Sequence, residues 1–169
     1  MTPPRLVIMG VSGCGKSTVG QRLADRIGVP FLEGDSLHPP RNVALMAAGT
    51  PLTDEDRAGW LDTIATHLSA LGPEEGLVVS CSALKRAYRD RLRLATPDLR
   101  FVHLHGARDL LAERLQRRQH DYMPPTLLDS QLRTLEIPTA DEAVLTLNIA
   151  QPLEQLVADI EHHLQPNHA

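Results

Sequence analysis

The stretch Gly10-Val-Ser-Gly-Cys-Gly15-Lys16-Ser17 leaves little freedom for what surrounds it. It matches G-x-x-x-x-G-K-[ST] and directly follows the apolar run Leu6-Val7-Ile8-Met9. A strand that stops at a glycine-rich turn and resumes as a helix is the setting in which this pattern holds a polyphosphate. The glycines let backbone N–H groups converge on an anion, and the start of the helix adds positive potential. In that setting Lys16 reaches the β- and γ-phosphates, and the Ser17 hydroxyl holds Mg²⁺.

The chain carries 17 Lys+Arg, yet lysine occurs only at Lys16 and Lys85. Lysine is a compact, mobile point charge, unlike the planar guanidinium fork. Lys16 has a task in the loop, so Lys85 becomes a candidate for another. The net charge of -4 and an aromatic content of 3% argue against a nucleic-acid surface. Phosphate binding must then come from local arrangement rather than from the overall field. The two cysteines, Cys14 and Cys81, form no disulfide framework and read as reduced thiols of a cytoplasmic protein. No run approaches a membrane span, and Met1–Arg5 passes straight into the first strand without a signal peptide.

With 169 residues the chain fits one domain with a full core, spanning 1–169. Apolar runs predict strands at Arg5–Met9, Pro30–Glu33, Leu77–Cys81, Arg100–Leu104 and Val144–Ile149. Helical spacing predicts helices from about Gly15 to Arg26, after Pro39-Pro40, after a Thr53 cap, and after a Ser82 cap. Further helices are expected through Leu111 and Leu115, from Pro125 to Leu135, and from Pro152 to Leu164. Strands alternating with helices give an α/β fold, a parallel sheet covered on both faces, with ligands beyond the carboxyl strand ends.

The loop after strand two brings Asp35 toward the γ-phosphate, where its carboxylate can accept a proton from a substrate hydroxyl or orient the metal through water. His38, in the same loop, can bind a hydroxylated substrate or pack. Lys85 and Arg89 lie four residues apart, so a helix starting at Ser82 presents both on one face, suited to a carboxylate. The segment Arg114–Met123 is dense in charge, and arginines on such a lid neutralise charge on a moving phosphoryl group.

These motifs form a series. Met9–Ser17, Gly34-Asp35-x-x-His38-Pro39, Pro51-Leu-x-Asp54-x-Asp56-Arg57-x-x-Trp60-Leu61, Cys81-Ser-Ala-Leu-Lys85-x-x-Tyr88-Arg89-Asp90 and Ser130-Gln131-x-x-Thr134-Leu135-Glu136-x-Pro138 follow in order, and the likeness runs from the first strand to the final helix with no large gap. The series resembles bacterial gluconokinases of the thermoresistant type. That resemblance implies a three-layer P-loop NTPase fold with sheet order 2-3-1-4-5 and a lid at about residues 114–136. It implies transfer of phosphate from ATP, with Mg²⁺, to the 6-hydroxyl of D-gluconate, feeding the pentose phosphate or Entner–Doudoroff route. It also implies a homodimer. By the same resemblance Gly10, Val11, Ser12, Gly13, Cys14, Gly15, Lys16, Ser17 and Thr18 bind ATP together with Arg114 and Arg118. Lys16, Asp35 and Arg118 carry catalysis, and Asp35, His38, Arg57, Lys85, Arg89 and Gln131 surround the sugar acid. Family members often show Arg-x-Gly-His-Phe-Met or Arg-x-Asp-His-Tyr-Met in the lid. This chain has Arg118-Gln119-His120-Asp121-Tyr122-Met123, with the order of His and Asp changed, so no role is carried over to His120.

Two rivals are a different small-molecule kinase and a nucleotide-dependent regulatory binder. Shikimate kinases carry a glycine cluster where this chain has Cys81-Ser82-Ala83, and a nucleotide acceptor would need aromatic residues that are scarce here. A guanine-binding Asn-Lys-x-Asp motif is absent, since lysine is confined to two positions. A binder of ATP without an acceptor substrate stays open.

Overall fold

The computed structural model describes residues 3–117 and 125–165, so Arg118, His120 and Asp121 lie outside the described residues. Strand β1 (Arg5–Met9) shows how the sheet is built. Alternate side chains leave a strand on opposite faces, so one apolar run can serve two cores. Leu6 and Ile8 enter a core with helices α1 (Lys16–Ile27), α5 (Arg108–Gln116), α6 (Pro125–Thr134) and α7 (Leu153–Leu164). Val7 and Met9 enter the other, against α3 (Asp54–Ser69) and α4 (Arg86–Ala95). The remaining strands are β2 (Phe31–Glu33), β3 (Leu77–Ser80), β4 (Arg100–His105) and β5 (Leu145–Asn148). All pairings are parallel, in the expected order β2-β3-β1-β4-β5. Helix α2 (Pro40–Ala47) follows β2. Among the described residues no helix is long and apolar enough to cross a membrane.

Local chemistry sets the helix ends. Thr53 and Asp56 form a reciprocal capping box, with Asp56 N donating to Thr53 Oγ1 (3.1 Å) and Thr53 N donating to Asp56 Oδ2 (2.9 Å). Gly28 stops α1 in the left-handed region, φ 74°. The expected Ser82 cap is corrected: α4 begins at Arg86, with Lys85 as its N-cap. Residues 82–85 cross the top of the sheet instead, and their carbonyls are already engaged. Arg89 donates to Ala83 O (2.9 Å) and Leu84 O (3.2 Å), and Glu136 N donates to Leu84 O (2.7 Å). Short 3-10 turns at Gly34–Leu37 and Ala140–Glu142 were not anticipated by the sequence pattern.

β4 buries His103, which is 2% exposed, with Nδ1 unpartnered among the described residues. Burial, with smaller contributions from His105 and Arg89, lowers its pKa from 6.5 to about 4. Between those values the unfolded chain binds a proton that the folded chain refuses, so stability falls as pH drops through that window. His38 shifts in the same direction and adds to the loss. His103→Phe is expected to flatten the acid limb of a plot of Tm against pH. An unaltered limb would remove His103 from the acid response.

Candidate active site

The loops after β1, β2 and β3 meet over the carboxyl edge of the sheet, around a cavity of about 490 Å³. Gly13 makes the first loop possible. Its φ is +88°, and a Cβ there would lie 2.9 Å from Leu111 O. Gly15, at φ +89°, is the N-cap of α1 and has no side-chain cap of its own. The backbone therefore turns inward at the start of a helix, the geometry that receives an anion. Lys16 is 7% exposed, and its ammonium reaches across to Asp35, Nζ to Oδ2 3.5 Å. Ser12, Lys16, Ser17, Asp35, His38 and Arg57 all line the cavity. Val43, Met46 and Leu52 supply an apolar wall from α2 and the chain after it.

Three cations named from sequence occupy quite different places. Arg57 is 8% exposed and lines the cavity. Its NH1 donates to Tyr88 Oη (3.2 Å), and its guanidinium lies 5.6 Å from the Tyr88 ring centre. Tyr88 Oη in turn donates to Asp54, which also accepts from Lys85 Nζ (2.8 Å). Lys85 thus stands behind Arg57, at the far end of a polar chain, and is not part of the cavity lining. Lys85, then Tyr88, hold the Asp54 carboxyl below its ordinary range, and Asp54 raises the Lys85 ammonium above its own.

The placement of Arg89 in the substrate site is corrected. Its side chain is 0% exposed and turned beneath α4. Nε and NH2 donate to Glu142 (2.7 and 3.1 Å), and NH2 also donates to Glu136 O (3.0 Å). With the two bonds to Ala83 and Leu84, these tie the sheet-top crossing to the chain leading into β5. The Arg89 guanidinium is the main reason that the Glu142 carboxyl falls to about 2. A helical spacing of four puts two residues on one face only if both are inside the helix. Lys85 precedes it.

On α5, Arg114 donates through NH2 to Ile149 O (2.8 Å), and its NH1 would lie 4.0 Å from a Cβ built on Gly15. It is thereby held beside the phosphate loop. Gln131 lines the cavity, and its Oε1 accepts from Ser12 N (2.7 Å), so α6 is fastened to the loop. Arg118 lies outside the described residues.

Four neighbours received no role from the sequence. Glu33 lines the cavity and accepts from Ser80 Oγ. Trp60 stacks on His38 with ring centres 4.2 Å apart and an interplanar angle of 13°. Asn42 is 1% exposed and touches His38. Ser130 lines the cavity beside Gln131. A lone tryptophan and an asparagine one turn beyond His38 were the available signals for two of them.

Comparisons with known proteins show the family. The family model described as shikimate kinase matches residues 12–160. A gluconokinase of Gluconobacter oxydans is 46% identical over 169 residues, covering 98% of this chain and 93% of that relative. The chain belongs to the gluconokinase family. Thermoresistant gluconokinase of Escherichia coli is 44% identical, covering 90% of this chain and 88% of its own length. The crystal structure of a gluconokinase from Sinorhizobium meliloti superposes with a TM-score of 0.81 at 44% identity, covering 96% of this chain and 98% of that one. The chain is thus a nucleotide-binding kinase on a parallel sheet of order β2-β3-β1-β4-β5.

Proposed function

We propose that this chain transfers the γ-phosphoryl group of ATP to the 6-hydroxyl of D-gluconate, giving 6-phospho-D-gluconate and ADP. What supports this most is the cavity in which the Lys16 ammonium faces the Asp35 carboxylate at 3.5 Å, with Arg57 lining the same cavity. Lys16 and the loop N–H groups hold the transferring phosphate. Asp35 takes the proton of the attacking hydroxyl as the new oxygen–phosphorus bond forms, and ADP leaves with the electron pair of the broken bond. Arg57, fixed from behind by Tyr88, is the counter-charge for the carboxylate at the other end of the acid. Arg114 and Arg118 neutralise phosphate charge from the lid side.

The donor set fits Mg²⁺. Ser17, Asp35 and Glu33 line one cavity and offer the hard oxygen ligands that this ion prefers. When bound, the ion would be held by Ser17 and would supply positive charge to the nucleotide phosphates. A homodimer, which rests on the family resemblance, and a cytoplasmic location, which rests on the reduced thiols of Cys14 and Cys81, complete the reading.

³¹P NMR of the products tests it: gluconate and ATP should yield a phosphate monoester on the terminal carbon and ADP. Inorganic phosphate as the sole phosphorylated product besides ADP would contradict it. Arg57→Ala should raise the KM for gluconate by about 10- to 100-fold, the usual worth of a hydrogen bond to a charged group. Lys85→Ala should raise it less, because Lys85 acts only through Asp54 and Tyr88. An equal or larger effect at Lys85 would place the acid elsewhere.

A further inference from the structure

The surroundings of His38 settle which of its ring nitrogens carries hydrogen. Asn42 follows His38 by four residues, in the first turn of α2, and its side chain is buried. Asn42 Nδ2 lies 2.8 Å from the main-chain carbonyl of Asp56 and 3.2 Å from His38 Nδ1. A carbonyl oxygen can only accept, so the nitrogen end of the amide must face it. That orientation leaves the second amide N–H for His38 Nδ1, which must then offer a lone pair. The single ring hydrogen therefore sits on Nε2. Trp60 holds the ring in plane by stacking, and is itself pinned by Nε1–H donating to Gly34 O (2.8 Å).

The ring is also kept uncharged. Burial lowers its pKa to about 4; Asp35 opposes this, while Arg57 and Lys16 add to it. A neutral imidazole whose Nδ1 is engaged can act toward a ligand only as an Nε2–H donor. Among the described residues none takes that hydrogen, and His38 lines the cavity.

We propose that Asn42 is a positioning residue: it locks His38 in the Nε2–H form, so that His38 donates to a hydroxyl oxygen of the sugar acid and takes no proton from it. This rests on the gluconate reading of the site. It divides the labour between two neighbours, with Asp35 as acceptor and His38 as donor. It also gives the site a means of rejecting acids that lack the matching hydroxyl, since a donor left unpaired once the acid has displaced water is costly.

Two measurements test it. The first is the histidine ¹⁵N–¹H correlation spectrum of the ligand-free protein at neutral pH, assigned with His38→Gln. His38 should show a protonated Nε2 and a bare Nδ1, and Asn42→Ala should shift it toward a mixture of both forms. A protonated Nδ1 in the parent protein would overturn the proposal without touching the gluconate reading. The second is kinetic. His38→Ala should raise the KM for gluconate about tenfold or more, with a smaller change in kcat. A glutamine can place its amide N–H near the position of Nε2–H and its oxygen near Nδ1, accepting from Asn42. His38→Gln should therefore recover most of the affinity lost in His38→Ala. If His38→Gln instead loses kcat about 100-fold, as removal of a proton acceptor would, His38 is a base and the proposal fails. Absence of any gluconate turnover in the parent enzyme would defeat the functional reading, whereas the spectrum would still decide the tautomer. Should Asn42→Ala not fold, the parent spectrum and the His38 pair decide the matter alone.

Discussion

Lys16→Ala is expected to leave a folded protein whose turnover with gluconate and ATP falls by about 10²- to 10³-fold, corresponding to about 3–4 kcal/mol of lost transition-state stabilisation. The size follows from the placement of the ammonium. Lys16 is 7% exposed and sits at the first residue of α1, where Gly15 leaves the loop N–H groups turned inward. Positive charge in such a place is weakly screened and needs no reorganisation when negative charge shifts toward the leaving group. The substitution also leaves Asp35 without its partner at 3.5 Å, but Asp35 is 46% exposed on its side chain, so water can solvate it and the fold should survive. A melting curve close to that of the parent, together with the collapsed rate, is the expected pair of results. Lys16→Arg should not restore activity, because a planar fork does not replace a compact point charge in this loop. A kcat within a few-fold of the parent in Lys16→Ala would detach the loop from the chemistry.

Asp35→Asn should lower kcat by about 10²-fold or more while changing the KM for ATP little. The amide keeps the size of the side chain and can still hydrogen-bond, so packing is preserved. What it loses is the negative charge that faces Lys16 and the capacity to take a proton. His38 cannot stand in, because its Nδ1 is engaged by Asn42 and its ring is held neutral. Rate measurements over a range of gluconate and ATP concentrations separate the two effects. An increase confined to the KM for gluconate, with kcat intact, would recast Asp35 as a binding residue.

The parts of this molecule that were legible in its sequence are those fixed by local pattern. The parity of Leu6-Val7-Ile8-Met9 commits β1 to two cores, which requires helices on both faces. The glycine spacing of residues 10–17 fixes the loop, and Thr53 with Asp56 announces a helix start. The parts that were not legible depend on partners distant in sequence. Arg89 is buried by Glu142, 53 residues further on, and nothing near Arg89 signals that pairing. Its demand for the carbonyls of residues 83 and 84 is also what delays α4 by a turn. Lys85 was singled out because lysine is scarce, yet Asp54, 31 residues earlier, takes its charge. Arg57, in contrast, gained its place in the cavity from α3, whose apolar stripe through Trp60, Leu61 and Ile64 packs on the sheet and brings the first turn to the cavity rim.

On this proposal the phosphate loop, with Asp35, His38 and Arg57 in the same cavity, selects a sugar acid as phosphoryl acceptor. Initial rates of ADP release with D-gluconate, shikimate or AMP as the only acceptor test it most directly. The rate with gluconate should be at least about tenfold above either alternative, the discrimination expected when one acceptor alone satisfies the polar groups of the site. Equal, slow ADP release with all three would contradict it.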